Sequence, residues 1–160
     1  MNRRDRPGAA DAAAAAAGRV AGERRVFQNS LSELAGAGEW LRSFAVECGL
    51  THEVTHDLDL ALHEVLTNII SYAYRDNRHH EITVVLREHS NRISVVVEDD
   101  GVPFNPLTAP PTHPAATLEQ SPPGGRGLRL MRSLVDELQY ARRDGKNVLT
   151  MIVVLDDPFS

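Results

Sequence analysis

Seven of the chain's nine prolines fall between residues 103 and 123, and this stretch constrains the fold more than any other feature. Each proline removes a backbone donor and fixes φ, so neither a helix nor a central strand can run through it. A long loop is expected. Loops longer than about 12 to 15 residues inside compact domains usually serve as lids or binding segments, which places candidate function beside this break.

On either side the hydropathy pattern is regular. Val26-Phe27 reads as a short strand, and Ser30 or Ser32 is placed to cap a helix running through Trp40, Leu41 and Phe44 to a stop at Cys48-Gly49. Thr51 opens a longer helix, whose apolar positions Leu58, Ala61, Leu62, Val65, Ile69, Tyr72 and Ala73 recur at steps of three and four. Two β-branched runs, 82–86 and 93–97, read as a hairpin turning near Asn91. Beyond the prolines come a third helix over 128–135 and strands over 137–142 and 148–155, joined at Asp144-Gly145. Strands adjacent in sequence argue for an α+β two-layer sandwich, a mostly antiparallel mixed sheet with helices on one face, and against a doubly wound sheet.

Composition sets the outer limits. The 160 residues, 42% apolar and 24% charged, suit one globular domain. Residues 1–25 carry six arginines against three acids around an alanine run, a local net of +3 within an overall −5. They read as a disordered Ala/Arg-rich leader, with 26–155 as the folded domain, the lid near 103–126, and 156–160 as a tail. The acidic balance offers no broad cationic surface for nucleic acid. Cys48 is the only cysteine, and no apolar run approaches the roughly 20 residues of a membrane helix. A cytoplasmic protein without membrane contact is expected.

Three groupings could carry chemistry. Glu64 and Asn68 are four apart on the second helix, with Ser71 continuing the row. Such a carboxylate and amide can hold a hydroxyl or water with one group and a hard cation with the other, although helix periodicity makes similar rows on any solvated face. Second, the 95–97 strand ends in Glu98-Asp99-Asp100-Gly101-Val102-Pro103. A carboxylate fixed there can accept from an exocyclic amine, and Gly101 would let a planar ring approach the backbone; an ordinary acidic turn has the same letters. Third, Gly124-Gly125-Arg126-Gly127-Leu128 enters a helix, where free amides and the dipole favour an anion, or where a long loop simply needs glycine. Lys146 is the only lysine, and neither a G-x-x-x-x-G-K-[ST] loop nor a V-A-I-K strand with an H-R-D loop is present. P-loop ATPases and eukaryotic-type kinases are excluded.

Taken together and in this order, the groupings resemble the GHKL (Bergerat-fold) ATP-binding family, and in particular its bacterial anti-sigma-factor serine kinases. Residues 60–74 resemble the N-box, 99–106 the first glycine box, and 124–137 the second. The resemblance implies the Bergerat sandwich with an ATP lid, binding of ATP or ADP with magnesium, and transfer of the γ-phosphoryl group to a serine of a partner. By position it implies Asn68 as the magnesium ligand, Glu64 as the base on the serine hydroxyl, and Asp99 as acceptor of the adenine amino group. Thr150 would support the adenine; Gly101, Gly125 and Gly127, with Leu128, would give backbone access to base and phosphates. Arg126 would either neutralise phosphate or face solvent. The implied partners are an anti-sigma-factor antagonist of the STAS type and a sigma factor, with the kinase a homodimer.

Two other readings fit parts of the chain. A nucleotide-binding regulatory module could hold the same partners without phosphotransfer. His52-Glu53-Val54-Thr55-His56 matches the zinc metalloprotease pattern H-E-x-x-H, but Thr51 puts the match in a helix's first turn and no further H-x-x-G-x-x-H follows.

Overall fold

The computed structural model describes residues 20–107 and 125–156, with side chains over 21–107 and 130–156. Residues 1–19, 108–124 and 157–160, which hold most of the expected leader, lid and tail, lie outside the described residues. In chain order the elements are β1 (Val20–Gln28), α1 (Leu34–Glu47), α2 (His52–Asn68), β2 (Glu81–His89), β3 (Arg92–Asp99), α3 (Gly125–Leu134), β4 (Glu137–Arg143) and β5 (Lys146–Val154). A 3-10 turn, Leu31–Glu33, precedes α1, and a π turn, Ile69–Ala73, continues α2.

Local chemistry sets these boundaries. Thr51 sits in extended conformation, and its hydroxyl accepts from Val54 N at 3.2 Å, capping α2. Gly49, at φ +66, closes α1, with Gly49 N donating to Val46 O and Leu50 N to Ala45 O, the paired bonds of a Schellman stop. Asp144 and Gly145 both have positive φ and join strands whose flanking residues Arg143 and Lys146 pair directly, as a two-residue hairpin requires.

The five strands form one sheet in the order β1-β2-β3-β5-β4, every neighbouring pair antiparallel. The expected α+β sandwich is therefore what the chain adopts, with no parallel pairing among the described strands. Side chains alternate faces along a strand. Ile82, Val84 and Leu86 of β2, Ile93, Val95 and Val97 of β3, and Met151 of β5 form one buried cluster with Leu41 of α1, Leu58 and Leu62 of α2, and Met131 of α3. Thr83, Val85, Val96 and Thr150 point to the other face and are half-buried.

Two boundaries differ from the sequence reading. β1 begins at Val20, pairing with His89, so residues 20–25 are strand rather than leader. Charge conceals it: an edge strand tolerates Glu23, Arg24 and Arg25, and the Arg25 guanidinium lies 5.5 Å from the centroid of the Trp40 ring. The apolar stripe of α2 is fully buried only as far as Leu66, and Tyr72 is 55% exposed. The π turn holds an extra residue per turn, which rotates later side chains off the core-facing row. No described helix is long and apolar enough to cross a membrane.

Candidate functional site

Where α2 widens into the π turn, its end meets the end of β3. Val102 N donates to Ala73 O at 2.9 Å, and beside this contact lies a cavity of about 220 Å³. Val65 and Asn68 wall it from α2, Ile69, Tyr72 and Ala73 from the π turn, and Asp99, Tyr140, Asn147 and Leu149 from the sheet. Pro103, Phe104 and Pro106, at the start of the proline stretch, form its rim. The wall is mostly apolar, with one carboxylate and two amides set into it, a pattern common to small-molecule sites.

Asp99 is 5% exposed. Its Oδ1 accepts from Gly101 N at 2.9 Å and from Asn147 Nδ2 at 3.1 Å, and no described residue donates to Oδ2. Burial holds the carboxyl above the usual carboxylate range; the Asn147 and Gly101 donors pull the other way, Asp100 adds to the rise and Arg142 opposes it. Arg142 also donates from Nη1 to Gly101 O at 2.9 Å, fixing the turn that follows the carboxylate.

Next to it, His80 binds Asp76 Oδ1 through Nε2 at 2.7 Å and Asp100 Oδ1 through Nδ1 at 3.2 Å, while its ring stacks on Tyr74 with centroids 4.1 Å apart. The bond to Asp76 chiefly holds the imidazole above its ordinary range, with burial opposing and Asp100 assisting. The Tyr74 hydroxyl is buried without a partner and is held protonated by burial, then by Asp99 and Asp100. These contacts tie the segment after α2 to the turn after β3.

The sequence-derived residues fall as follows. Asn68, the last residue of α2, and Asp99 both line the cavity. Glu64 is half-buried one helical turn before Asn68 and is outside the cavity wall. Ser71 is exposed on the π turn, out of the row that the α-helical spacing assigns it. Gly125, Arg126, Gly127 and Leu128 make the first turn of α3, which packs on α2 and leaves its leading amides without intrahelical acceptors. The Arg126 and Leu128 side chains are outside the described residues. His52, Glu53 and His56 occupy the first turn of α2, the end opposite Asn68, and no described group of three or more His, Cys, Asp or Glu could hold a metal ion. The protease pattern has no third ligand at hand among those residues.

Two assignments need correction. Thr150 lies opposite Val96 and Gln139, on the sheet face away from the cavity, because the lining residues Asn147 and Leu149 have the other parity. The residue that β5 presents beside Asp99 is Asn147, which the sequence reading passed over; period-2 counting along 146–154 would have found it. Gly101 does not line the cavity either. A Cβ there would meet Ala73 Cβ at 2.6 Å, Ala73 O at 2.7 Å and Asp99 Oδ1 at 2.9 Å. The glycine thus admits the π turn, not a ring. Gly101→Ala must push the π turn off β3, and we expect it to cost about 1 to 3 kcal/mol of stability and to weaken ligand binding in the cavity, read by thermal unfolding and calorimetry. Unchanged stability would refute this account of Gly101.

The model of the histidine kinase-like ATPase domain matches residues 27–153. The serine/threonine-protein kinase BtrW of Bordetella bronchiseptica is 35% identical over 112 residues, covering 70% of this chain and 79% of that protein. The serine-protein kinase RsbW of Bacillus subtilis is 30% identical over 112 residues, covering 68% and 70%. Among solved structures, the RsbU and RsbW domains of Rv1364c from Mycobacterium tuberculosis superpose with a TM-score of 0.59 at 17% identity, across 84% of this chain and 32% of that one. At that identity the match speaks for the fold alone, and this chain spans about a third of its length.

Proposed function

The chain belongs to the histidine kinase-like ATPase domain family, among its serine/threonine-protein kinases, and from that membership we propose an ATP-dependent anti-sigma factor that phosphorylates a serine on an anti-sigma-factor antagonist. The antagonist would be of the STAS type, and the kinase, as a cytoplasmic homodimer, would also hold a sigma factor. One observation carries the site assignment: Asn68 from the helix and Asp99 from the sheet open on the same cavity. An amino-bearing purine suits the sheet side, where Asp99 Oδ2 is the open acceptor, and the phosphates suit the helix side.

Magnesium fits the residues present. It takes oxygen ligands and usually keeps several waters, so one amide oxygen from Asn68 together with phosphate oxygens suffices without a cluster of carboxylates. When bound, it would neutralise charge on the phosphates. The chain's own residues do the rest. Asp99 orients the base, the first-turn amides of α3, including those of Gly125, Arg126 and Gly127, offer donors to phosphate, and Glu64 takes the hydroxyl proton as the serine oxygen attacks the γ-phosphorus and ADP departs. Positioning supplies most of the rate. Thr150 has no part in this scheme, and Gly101 acts by seating the π turn.

The rival reading is a nucleotide-dependent binding module that transfers nothing. Partners captured from native cells in the presence of ATP or ADP, with γ-labelled ATP and phosphoserine mapping, separate the two. Label on a partner serine is expected. Capture with tight magnesium-ATP binding and no label would favour the module, and no heat with either nucleotide would end both readings.

A further inference from the structure

Asn147 is 7% exposed, and every polar atom of its amide is engaged. Nδ2 donates to Asp99 Oδ1 at 3.1 Å and to Val102 O at 2.9 Å; Oδ1 accepts from Tyr140 Oη at 2.5 Å and from Phe104 N at 3.3 Å. A reversed amide would set its oxygen against the Val102 carbonyl and its nitrogen against the Phe104 N–H, two contacts between groups of the same kind. Only one orientation is satisfied, and it aims a donor at Asp99.

The consequence concerns which base fits. Asp99 Oδ1 already holds two donors, from Gly101 and Asn147, which leaves Oδ2 to meet the ligand. An acceptor there suits an exocyclic amine and repels a ring carbonyl. We infer that Asn147, locked by Val102, Phe104 and Tyr140, is the positioning residue that makes Asp99 present a bare acceptor, and so sets the preference for a 6-amino over a 6-oxo purine. The inference rests on the nucleotide site proposed above and deepens it. Asn147 does not reach for the base with a spare group of its own, since its four contacts are all to protein.

Its signature is a shift in both base preference and pH response. The charged or titratable groups around Asp99 are Asp100 on the same turn, Arg142 from β4 and Tyr74 after α2. Asn147 acts with Arg142 and the Gly101 amide against the effect of burial. Without Asn147 the carboxyl holds its proton to higher pH, and a protonated Asp99 can donate to a carbonyl.

Calorimetry with ADP and IDP across pH 5 to 8 tests this on the full chain, using Asn147→Leu and Tyr140→Phe. The wild type is expected to favour ADP by on the order of 100-fold or more, with a flatter pH response than the variants. Asn147→Leu should weaken ADP about tenfold and narrow the ADP to IDP ratio by a similar factor, with ADP affinity falling and IDP affinity rising as pH drops. Tyr140→Phe should move both in the same sense by about threefold. A folded Asn147→Leu that keeps the wild-type ratio and pH profile overturns the inference. If that variant does not fold, an unchanged ratio and profile in Tyr140→Phe overturns it instead. A wild type that binds neither nucleotide defeats the underlying site assignment, which is a different outcome.

Discussion

Glu64→Gln should leave ADP affinity essentially unchanged and lower phosphotransfer to the partner serine by about 10² to 10⁴-fold, the usual worth of a positioned general base. The two halves of this expectation come from different features. Binding survives because Glu64 is outside the cavity wall, one turn before Asn68, so the change touches neither the base side nor the amide that would hold magnesium. Transfer falls because glutamine matches glutamate in size and helix preference but cannot accept the serine proton, which amounts to about 3 to 5 kcal/mol of barrier. Calorimetry with ADP and single-turnover transfer from γ-labelled ATP to the captured partner measure the two quantities separately. Transfer at the wild-type rate would remove Glu64 from the chemistry; a parallel loss of binding would recast it as a ligand-holding residue.

Much of this architecture is legible without coordinates, and the exceptions have physical causes. The α2 period from Leu58 to Val65, the Thr51 cap and the Gly49 stop are local signals, each decided by residues close in sequence, and each appears where its chemistry requires. The β2-β3 and β4-β5 hairpins are equally local. β1 is different. Its outer half is held by pairing with β2 some sixty residues away and by the Arg25 contact to Trp40, so its own letters read as a charged leader. The π turn also escapes sequence reading, since Ile69 to Ala73 keep an α-helical spacing on paper and depart from it where Ala73 O meets Val102 N. For the site, the residue types at Asn68 and Asp99 leave a solvated helix row and an acidic turn open; only the order of the three motifs joins them, and both residues line one cavity. Thr150 illustrates a limit of motif spacing, which counts along the chain without regard to which face of the strand each residue occupies. At Gly101 the letters show that close approach is needed but not by what: the neighbours a Cβ would meet are Ala73 and the Asp99 carboxylate.

Asp99→Asn should reverse the base preference while preserving the fold. In the native arrangement Oδ1 accepts from Gly101 N and from Asn147 Nδ2, and both donors remain after the substitution. The new amide must keep its oxygen on that side, so its nitrogen takes the place of Oδ2 and turns a donor toward the cavity. A 6-amino purine then meets donor with donor. The loss of a charge-assisted bond and the burial of an unmatched N–H together come to about 3 to 5 kcal/mol, or on the order of 10² to 10⁴ in ADP affinity. IDP, with a carbonyl at the same position, should bind the variant better than ADP does. Stability should move the other way. A carboxyl whose folded-state pKa is raised costs stability as pH rises from its unfolded value, near 3.9, through the folded one, and burial raises Asp99 in that direction. The neutral amide escapes this cost, so Asp99→Asn should be at least as stable as the wild type at pH 7, with the difference fading as pH falls below about 4. Denaturant unfolding at several pH values, run beside ADP and IDP titrations, measures both. A variant that stays folded and still prefers ADP would show that Asp99 does not read the base, and the orientation of the ligand in the cavity would have to be reassigned.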